Sequence, residues 1–315
     1  MNRRLKVGVI GVGSLGQHHA RIYSEMESAE LVGVFDVDVK RASEIARKCR
    51  CRAFATIEEL APTVEAASLA VPTDRHFAVG SQLMRVGLHL MVEKPIAATT
   101  QEAEALVALA REKGLILQVG HVERFNPVMR FLEDHLRHPR FIEAIRLAPY
   151  PSPREGALPR GTEVSVVLDL MIHDLDIILH LVRAPVKEIH AVGVPVLSPS
   201  EDIANVRLGF ENGCVANVTA SRISRDKMRK IRVFQEDTYV SLDYMNQAGQ
   251  LLRKTAGGIE ADKVPIEKGE PLAAELSSFV QCVLTHREPV VTGQHASEAL
   301  KLAVEICRRI RENPS

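Results

Sequence analysis

The sequence predicts an α/β fold in two domains: a doubly wound parallel sheet over residues 1–121, then a second α/β domain over 122–315 with a large, mostly antiparallel open sheet. Three observations predict it. Up to about residue 120, short apolar runs alternate with helical patterns, the rhythm of βαβ units in a parallel sheet. The first unit carries Gly11-Val12-Gly13-Ser14-Leu15-Gly16 between an apolar strand and a helix-forming stretch. Beyond residue 121, strand-like segments follow one another with few crossover helices, which marks a largely antiparallel sheet.

In order, strands are expected at 5–10, 31–35, 66–71, 88–92 and 115–119, with helices near 16–27, 40–49, 74–86 and 99–113. Thr99 with Glu102 reads as the capped start of the last of these helices, and Gly114 as its stop. In the second domain Pro127 suits a first helical turn, and a helix is expected from Pro127 to His138. Strands follow at 140–148, 187–197, 202–211, 214–222, 229–236 and 238–245, with Glu211-Asn212-Gly213 as a hairpin turn. An apolar helix holds Asp169 to His180, and two helices close the chain near 271–286 and 294–311; the last is expected to pack back on the first domain.

The glycine pattern gains meaning from its surroundings. An apolar strand precedes it, a helix follows, and Asp36 ends the second strand twenty residues after Gly16. Together these make the dinucleotide fingerprint of a Rossmann domain. Gly11 serves the tight turn, Gly13 the approach of the pyrophosphate and Gly16 close helix–strand packing, with Ser14 and Leu15 beside the phosphates at the helix N-terminus. A carboxylate at Asp36 accepts from both ribose hydroxyls and repels a 2′-phosphate, so NAD is the expected cofactor. Lys40 and Arg41 lie nearby and read as a solvated helix face or as groups that soften this preference.

Composition narrows the class. The chain has 315 residues, 46% hydrophobic and 25% charged, with 40 basic and 40 acidic side chains. That balance gives no general attraction to nucleic acid or to an acidic membrane. No apolar run reaches bilayer length and no signal sequence is apparent, so a cytoplasmic location is expected. The cysteines at 49, 51, 214, 282 and 307 are scattered and odd in number, which suits free thiols. No zinc-type ligand set follows Cys49 and Cys51, and no metal is expected.

Four constellations carry candidate chemistry. Glu93-Lys94-Pro95 ends a buried strand, where ligands of open α/β sheets bind. Val71, Pro72, Thr73 and His76, at and after the end of another strand, are expected to line the nicotinamide side, with Thr73 or Asp74 as a helix cap in the simpler alternative. In Val119-Gly120-His121-Val122-Glu123-Arg124-Phe125-Asn126-Pro127, His121 is expected to face the cofactor, and Glu123, Arg124 and Asn126 the substrate; helix capping is the equal alternative for Asn126. On the apolar helix, Asp169, His173, Asp176 and His180 fall on one stripe at helical spacing. Asp169 and His180 stand about 16 Å apart along the axis, too far to share one ion. An Asp169–His173 pair, with the carboxylate orienting the imidazole, is the easier reading.

Taken together, GVGSLG with Asp36, AVPTDRHF, Glu93-Lys94-Pro95, VGHVERFNP and Asp169-x-x-x-His173-x-x-Asp176 resemble the family of glucose–fructose oxidoreductases, inositol dehydrogenases and their relatives (Gfo/Idh/MocA). The matches span both domains in the family's order. The resemblance implies that Lys94, Asp169 and His173 surround the oxidised carbon, and that the open sheet face packs in a dimer or tetramer. Many members carry a glycine-rich turn before the Asp–His helix; here Arg160-Gly161-Thr162-Glu163-Val164-Ser165 stands in its place. With His121 to Pro127, this looks like the members that oxidise UDP-N-acetylglucosamine at its 3-hydroxyl. Those members feed an aminotransferase that makes 2,3-diamino sugars for lipid A. A diphosphate needs cationic or N–H partners. Tyr150, Arg154 and Arg160, in the irregular segment 149–163, are expected at the substrate, and Arg222 and Arg225 are further candidates.

Oxidation of a secondary alcohol needs a base within hydrogen-bond reach of the hydroxyl as hydride leaves. Histidine titrates near neutrality, whereas a lysine amine serves as base only where burial and nearby positive charge lower its proton affinity. Either His173 takes the proton while Lys94 polarises the oxygen, or Lys94 takes it and His173 relays; the first is preferred. Two other readings stay open at this level: an inositol or free-sugar dehydrogenase of the same family, and an NAD-bound sensor without catalysis. Retention of the lysine, aspartate and histidine speaks against the sensor.

Overall fold

A computed structural model describes residues 3–152, 159 and 161–312. The chain divides into two compact units, Met1–Val122 with Glu270–Ser297, and Glu123–Gly269 with Glu298–Ser315. Arg154 and Arg160 of the expected substrate set lie outside the described residues.

Among the described residues, the first unit holds a six-stranded parallel sheet: β1 (Leu5–Ile10), β2 (Ala29–Phe35), β3 (Arg52–Ala53), β4 (Ala66–Leu69), β5 (His89–Val92) and β6 (Leu117–Val119). Its order, β3-β2-β1-β4-β5-β6, reverses direction between β3 and β4. The carboxyl ends of β1 and β4 are therefore neighbours at the switch point where such sheets bind ligands. Connections run through α1 (Gly16–Glu25), α2 (Val39–Cys49), α3 (Ile57–Leu60), α4 (His76–Arg85) and α5 (Thr100–Lys113). Val7, Val9, Ile10, Leu90 and Met91 have no exposed surface. Burial of each such side chain contributes about 1.5–3 kcal/mol. At α5, Thr99 and Glu102 form the capping box and Gly114 closes the helix, as the sequence led one to expect. The sequence gives no sign of β3, because it is two exposed edge residues without an apolar run.

Helix α8 (Pro271–Thr285) belongs to the first unit. Its Leu276, Phe279, Val280 and Val283 join Leu5, Val7, Ala20, Tyr23 and Met91 in one core. The amide of Gln118 on β6 donates to the Glu275 carbonyl at 3.0 Å. The sequence-based expectation placed such a return on the last helix. The apolar stripe of α8 completes the core, and the start of the last helix also belongs to the first unit, where the Cβ position of Gly293 lies against Leu117 and Val107. The last helix, α9 (Gly293–Glu312), passes into the second unit at residue 298.

The second unit's described residues build an eight-stranded sheet in the order β14-β13-β12-β11-β7-β10-β9-β8. These are β7 (Phe141–Leu147), β8 (Val186–Val194), β9 (Ile203–Phe210), β10 (Val215–Ser221), β11 (Met228–Phe234), β12 (Thr238–Asp243), β13 (Ala248–Thr255) and β14 (Gly258–Lys263). Only β7 and β10 pair in parallel. Ile142, Ala144, Val206, Val218 and Val233 alternate inward and are buried. Helix α6 (Pro127–His135) packs by β12, and α7 (Ile172–Val182) by β7 and β10. On the other face the rings of Phe141, Phe234 and Tyr239 meet at centroid distances of 5.6 and 4.4 Å. Strands β13 and β14 were not expected: β13 buries little beyond Leu251, and β14 is exposed throughout, so neither shows alternation. The five cysteines are free. Among the described residues no helix is long and apolar enough to cross a membrane.

Candidate active site

The fingerprint loop joins β1 to α1. Gly11 adopts φ +82°, and a Cβ there would stand 2.8 Å from the Ala70 carbonyl oxygen at the end of β4. A Cβ at Gly16 would overlap the Gly11 carbonyl. The Cβ position of Gly13, in contrast, meets nothing within 4 Å, which leaves room for a phosphate to approach the backbone. No side chain caps α1 and no acid sits in its first turn, so the helix N-terminus by Ser14 and Leu15 offers its dipole to an anion unopposed. Asp36 follows β2. Its Oδ2 accepts from Val12 N at 2.7 Å and its Oδ1 from Asp38 N at 2.9 Å, so the carboxylate is aimed while keeping further lone pairs for hydroxyl donors. These residues fit a dinucleotide.

Arg41 reaches the same corner, its Nε donating to the Val12 carbonyl at 2.6 Å. With Asp36 changed to Ala, this guanidinium faces a 2′-phosphate without a competing carboxylate. The kcat/KM for NAD should fall by about 10–100-fold, the scale of a charged hydrogen bond, and the NADP/NAD ratio should rise. Steady-state kinetics with both cofactors checks it; an unchanged ratio removes Asp36 from cofactor selection.

Glu93 and Lys94 follow β5. Glu93 is buried, its Oε1 lies 2.9 Å from Nε2 of His19 on α1, and its Oε2 accepts from Lys94 N at 3.3 Å. Burial pushes the Glu93 carboxyl up, but the hydrogen bond and charge of His19, with the charges of Lys94 and His76, outweigh it and hold the group below the usual range. A carboxylate thus sits beside Lys94, anchored to the fingerprint helix. His76 is also buried: Nδ1 lies 2.9 Å from the Pro95 carbonyl and Nε2 3.0 Å from the Val71 carbonyl. Burial lowers its proton affinity against the pull of both carbonyls. His76 therefore pins the segment after β4 to the segment after β5. Val71 and Thr73 are half-buried and Pro72 is exposed, while His121, after β6, is buried.

In the second unit Asp169 lies in a π-helical turn, Val167–Met171, and His173 in the first turn of α7. Both are half-buried. The wider turn interrupts the ladder that the sequence stripe assumed. The stripe also divides by partner: buried Asp176 faces Arg124 Nη1 at 3.5 Å, and His180 Nε2 meets Glu133 Oε1 at 2.7 Å. Among the described residues no three His, Cys, Asp or Glu side chains group to hold a metal ion.

Beside α7 runs a buried ionic frame. Arg146 on β7 grips Asp174 with two bonds, Nε to Oδ2 at 2.7 Å and Nη2 to Oδ1 at 3.0 Å, and gives Nη1 to Glu123 Oε1 at 3.0 Å. Arg229 adds a contact to Glu123 at 3.3 Å. Burial pushes the Glu123 carboxyl up, yet Arg146 and Arg229 hold it below the usual range. Asn126 caps α6 by accepting from Val128 N, and donates to Glu123 Oε2 and the Tyr244 carbonyl. Glu123, Arg124 and Asn126, expected at the substrate, are thus buried members of an internal frame, and for Asn126 the capping alternative describes its bonds. Tyr150 is half-buried, its hydroxyl 3.1 Å from Ser198 Oγ.

Residues 5–121 match the profile of an oxidoreductase family with an NAD-binding Rossmann fold, and residues 138–240 match the GFO/IDH/MocA C-terminal domain. A UDP-N-acetylglucosamine 3-dehydrogenase of Acidithiobacillus ferrooxidans is 37% identical over 309 residues, 96% of each chain. The chain belongs to the Gfo/Idh/MocA oxidoreductase family. A solved structure of the Acidithiobacillus ferrooxidans enzyme, GnnA, superimposes with a TM-score of 0.92 at 36% identity, covering 98% of both chains. The scyllo-inositol 2-dehydrogenase (NAD(+)) of Bacillus subtilis is 25% identical over 99% of this chain and 95% of its own.

As a Gfo/Idh/MocA oxidoreductase the chain has an NAD-binding domain, and its loops after β1, β2, β4 and β5 carry the residues expected for it. Sequence reasoning missed His19, Arg146 and Asp174, whose partners lie 74, 23 and 28 residues away along the chain. No local signal separates them from ordinary surface charges. It also offered Arg222 to a diphosphate. The structure instead engages that guanidinium internally: Nε donates to Asp202 Oδ1 at 2.7 Å, Nη1 to the carbonyls of Gly161 and Val164 at 2.6 and 2.7 Å, and Nη2 to Ser200 Oγ at 3.1 Å. Arg225 is exposed.

Proposed function

We propose that this oxidoreductase catalyses NAD-dependent oxidation of the 3-hydroxyl of UDP-N-acetylglucosamine to the UDP-3-keto sugar. The observation that carries the proposal is similarity over nearly the whole chain to an enzyme of that name, at 37% identity against 25% for the scyllo-inositol enzyme. Gly11, Gly13, Gly16 and Asp36 hold the cofactor, which when bound supplies the hydride acceptor. His173, oriented by Asp169, takes the proton of the 3-hydroxyl as the carbon loses hydride, and passes it to solvent. Lys94 polarises the same oxygen and stabilises its developing charge. Tyr150 contacts the nucleotide part.

In the wider reading the keto product goes to an aminotransferase, giving a 2,3-diamino sugar for lipid A in the cytoplasm. The protein assembles as a dimer or tetramer through the face of the second sheet that carries Phe141, Phe234 and Tyr239. The aromatic cluster on that face, beside the Glu143–Arg232 ion pair, supports this assembly.

The test incubates purified protein with NAD and, separately, UDP-N-acetylglucosamine, other UDP-sugars, inositols and free sugars, followed by mass spectrometry. The expected result is a UDP-N-acetylhexosamine product lighter by one H2. Oxidation of an inositol or free sugar in preference, or of nothing, overturns the proposal. Product mass is the proper readout because a disfavoured keto product leaves little free NADH.

A further inference from the structure

Arg222 and Asp202 form a buried pair at the adjoining ends of β10 and β9, with 2% and 0% of their surface exposed. Four of the five N–H groups of Arg222 are engaged, two of them on the Gly161 and Val164 carbonyls. Asp202 turns its Oδ2 the other way and accepts from the backbone N–H of Val196, Leu197 and Ser198 at 2.9, 2.6 and 2.8 Å. The pair therefore ties two loops to one point. One is the 161–165 segment that leads into the π-turn of Asp169. The other carries Ser198, the partner of the Tyr150 hydroxyl.

Gly161 is where this clamp meets Asp169. It adopts φ +83°, and a Cβ there would overlap Asp169 Oδ2. The Gly161 backbone is thus a wall against the carboxylate, and Arg222 holds that wall by its carbonyl. Further stitches keep the approach in register: Val166 N donates to the Glu201 carbonyl at 2.9 Å, and Asp169 N to the Ser165 carbonyl at 3.1 Å.

We infer that the Arg222–Asp202 pair, acting through Gly161, is a positioning device that sets the carboxylate of Asp169 for its work on His173. The inference rests on the catalytic reading above. Arg222 is a positioning residue and does not contact the substrate. A lysine at 222 keeps the charge but lacks the planar fork that reaches Asp202 and two carbonyls together. Gly161→Ala keeps both side chains of the ion pair and sets a Cβ against the carboxylate.

The test follows the His173 imidazole by NMR titration in the full-length protein and in Asp169→Asn, Arg222→Lys and Gly161→Ala, a readout that needs no substrate. A carboxylate beside an imidazole favours its charged form. Asp169→Asn should therefore move the titration to lower pH, and Arg222→Lys and Gly161→Ala should move it the same way. In turnover both variants should lose about 10–100-fold in kcat, the cost of misplacing a catalytic group by about 1 Å, with KM for NAD unchanged. Combined with Asp169→Asn, neither should add its full loss, because all three act through one carboxylate. If Asp169→Asn shifts the titration and the other two do not, the positioning role is overturned while the catalytic reading stands. If Asp169→Asn shifts nothing, the Asp169–His173 reading fails and the positioning role falls with it. Should Arg222→Lys not fold, Gly161→Ala alone decides.

Discussion

His173→Ala lowers turnover by about 10²–10⁴-fold, the usual contribution of a positioned acid–base group, and leaves NAD affinity unchanged. His173 sits in the first turn of α7, in the second unit, whereas the fingerprint glycines and Asp36 belong to the first. Its loss therefore leaves the cofactor contacts whole. Lys94→Ala gives a loss of similar size, because the oxygen that develops charge loses its cation. The pH profile separates the two roles. With His173 as base, the acid limb of kcat disappears in His173→Ala and survives in Lys94→Ala; with Lys94 as base the pattern reverses. Steady-state kinetics with product mass as readout, and titration calorimetry for NAD, make the measurement. Near-normal turnover in either variant removes that residue from the mechanism.

Arg146→Met destabilises the protein by about 3–5 kcal/mol near neutral pH, the cost of leaving buried charges without their partner. The guanidinium lies against two buried carboxylates, Asp174 and Glu123, and half-exposed Arg229 reaches only Glu123. The pH dependence follows from the signs. In the wild type the folded Glu123 value is depressed. Its stabilisation is therefore complete above the unfolded value of about 4.3 and lost as pH falls through the lower folded value. Burial already holds the Asp174 carboxyl above the usual range in the wild type despite Arg146; in the variant, without the cation, Glu123 rises and Asp174 rises further. The folded state then binds protons first, and stability recovers as pH falls toward the unfolded values. The gap between the two proteins should narrow between about pH 7 and pH 4.5. Urea unfolding across that range checks it; a gap that does not change with pH shows that Arg146 contributes packing alone.

Much of this protein was legible because the chemistry is local. Gly11, Gly13 and Gly16 lie within one turn, the capping box at Thr99 within one more, and Lys94 next to the strand that presents it. Alternation at 142–146 and 216–220 marked strands with one buried face. Legibility failed where neighbours in space are distant in sequence. For Glu123, Arg124 and Asn126, expected at the substrate, nothing nearby announces the internal partners Arg146, Asp176 and Tyr244. For Arg222, a candidate for the diphosphate, nothing nearby announces Asp202. Strands β3, β13 and β14 escaped because, at a sheet edge or next to one, they bury too little to impose a pattern.

The sequence by itself determined the βαβ order, the cofactor fingerprint and the residue types of the candidate chemistry, since each is encoded by spacing over a few residues. Only the tertiary structure decided how the charges pair. A buried carboxylate or guanidinium must be paired, and its partner is chosen by sheet register and helix packing. That choice set Glu123 against Arg146, Asp176 against Arg124 and Asp202 against Arg222, pairs that no spacing along the chain announces.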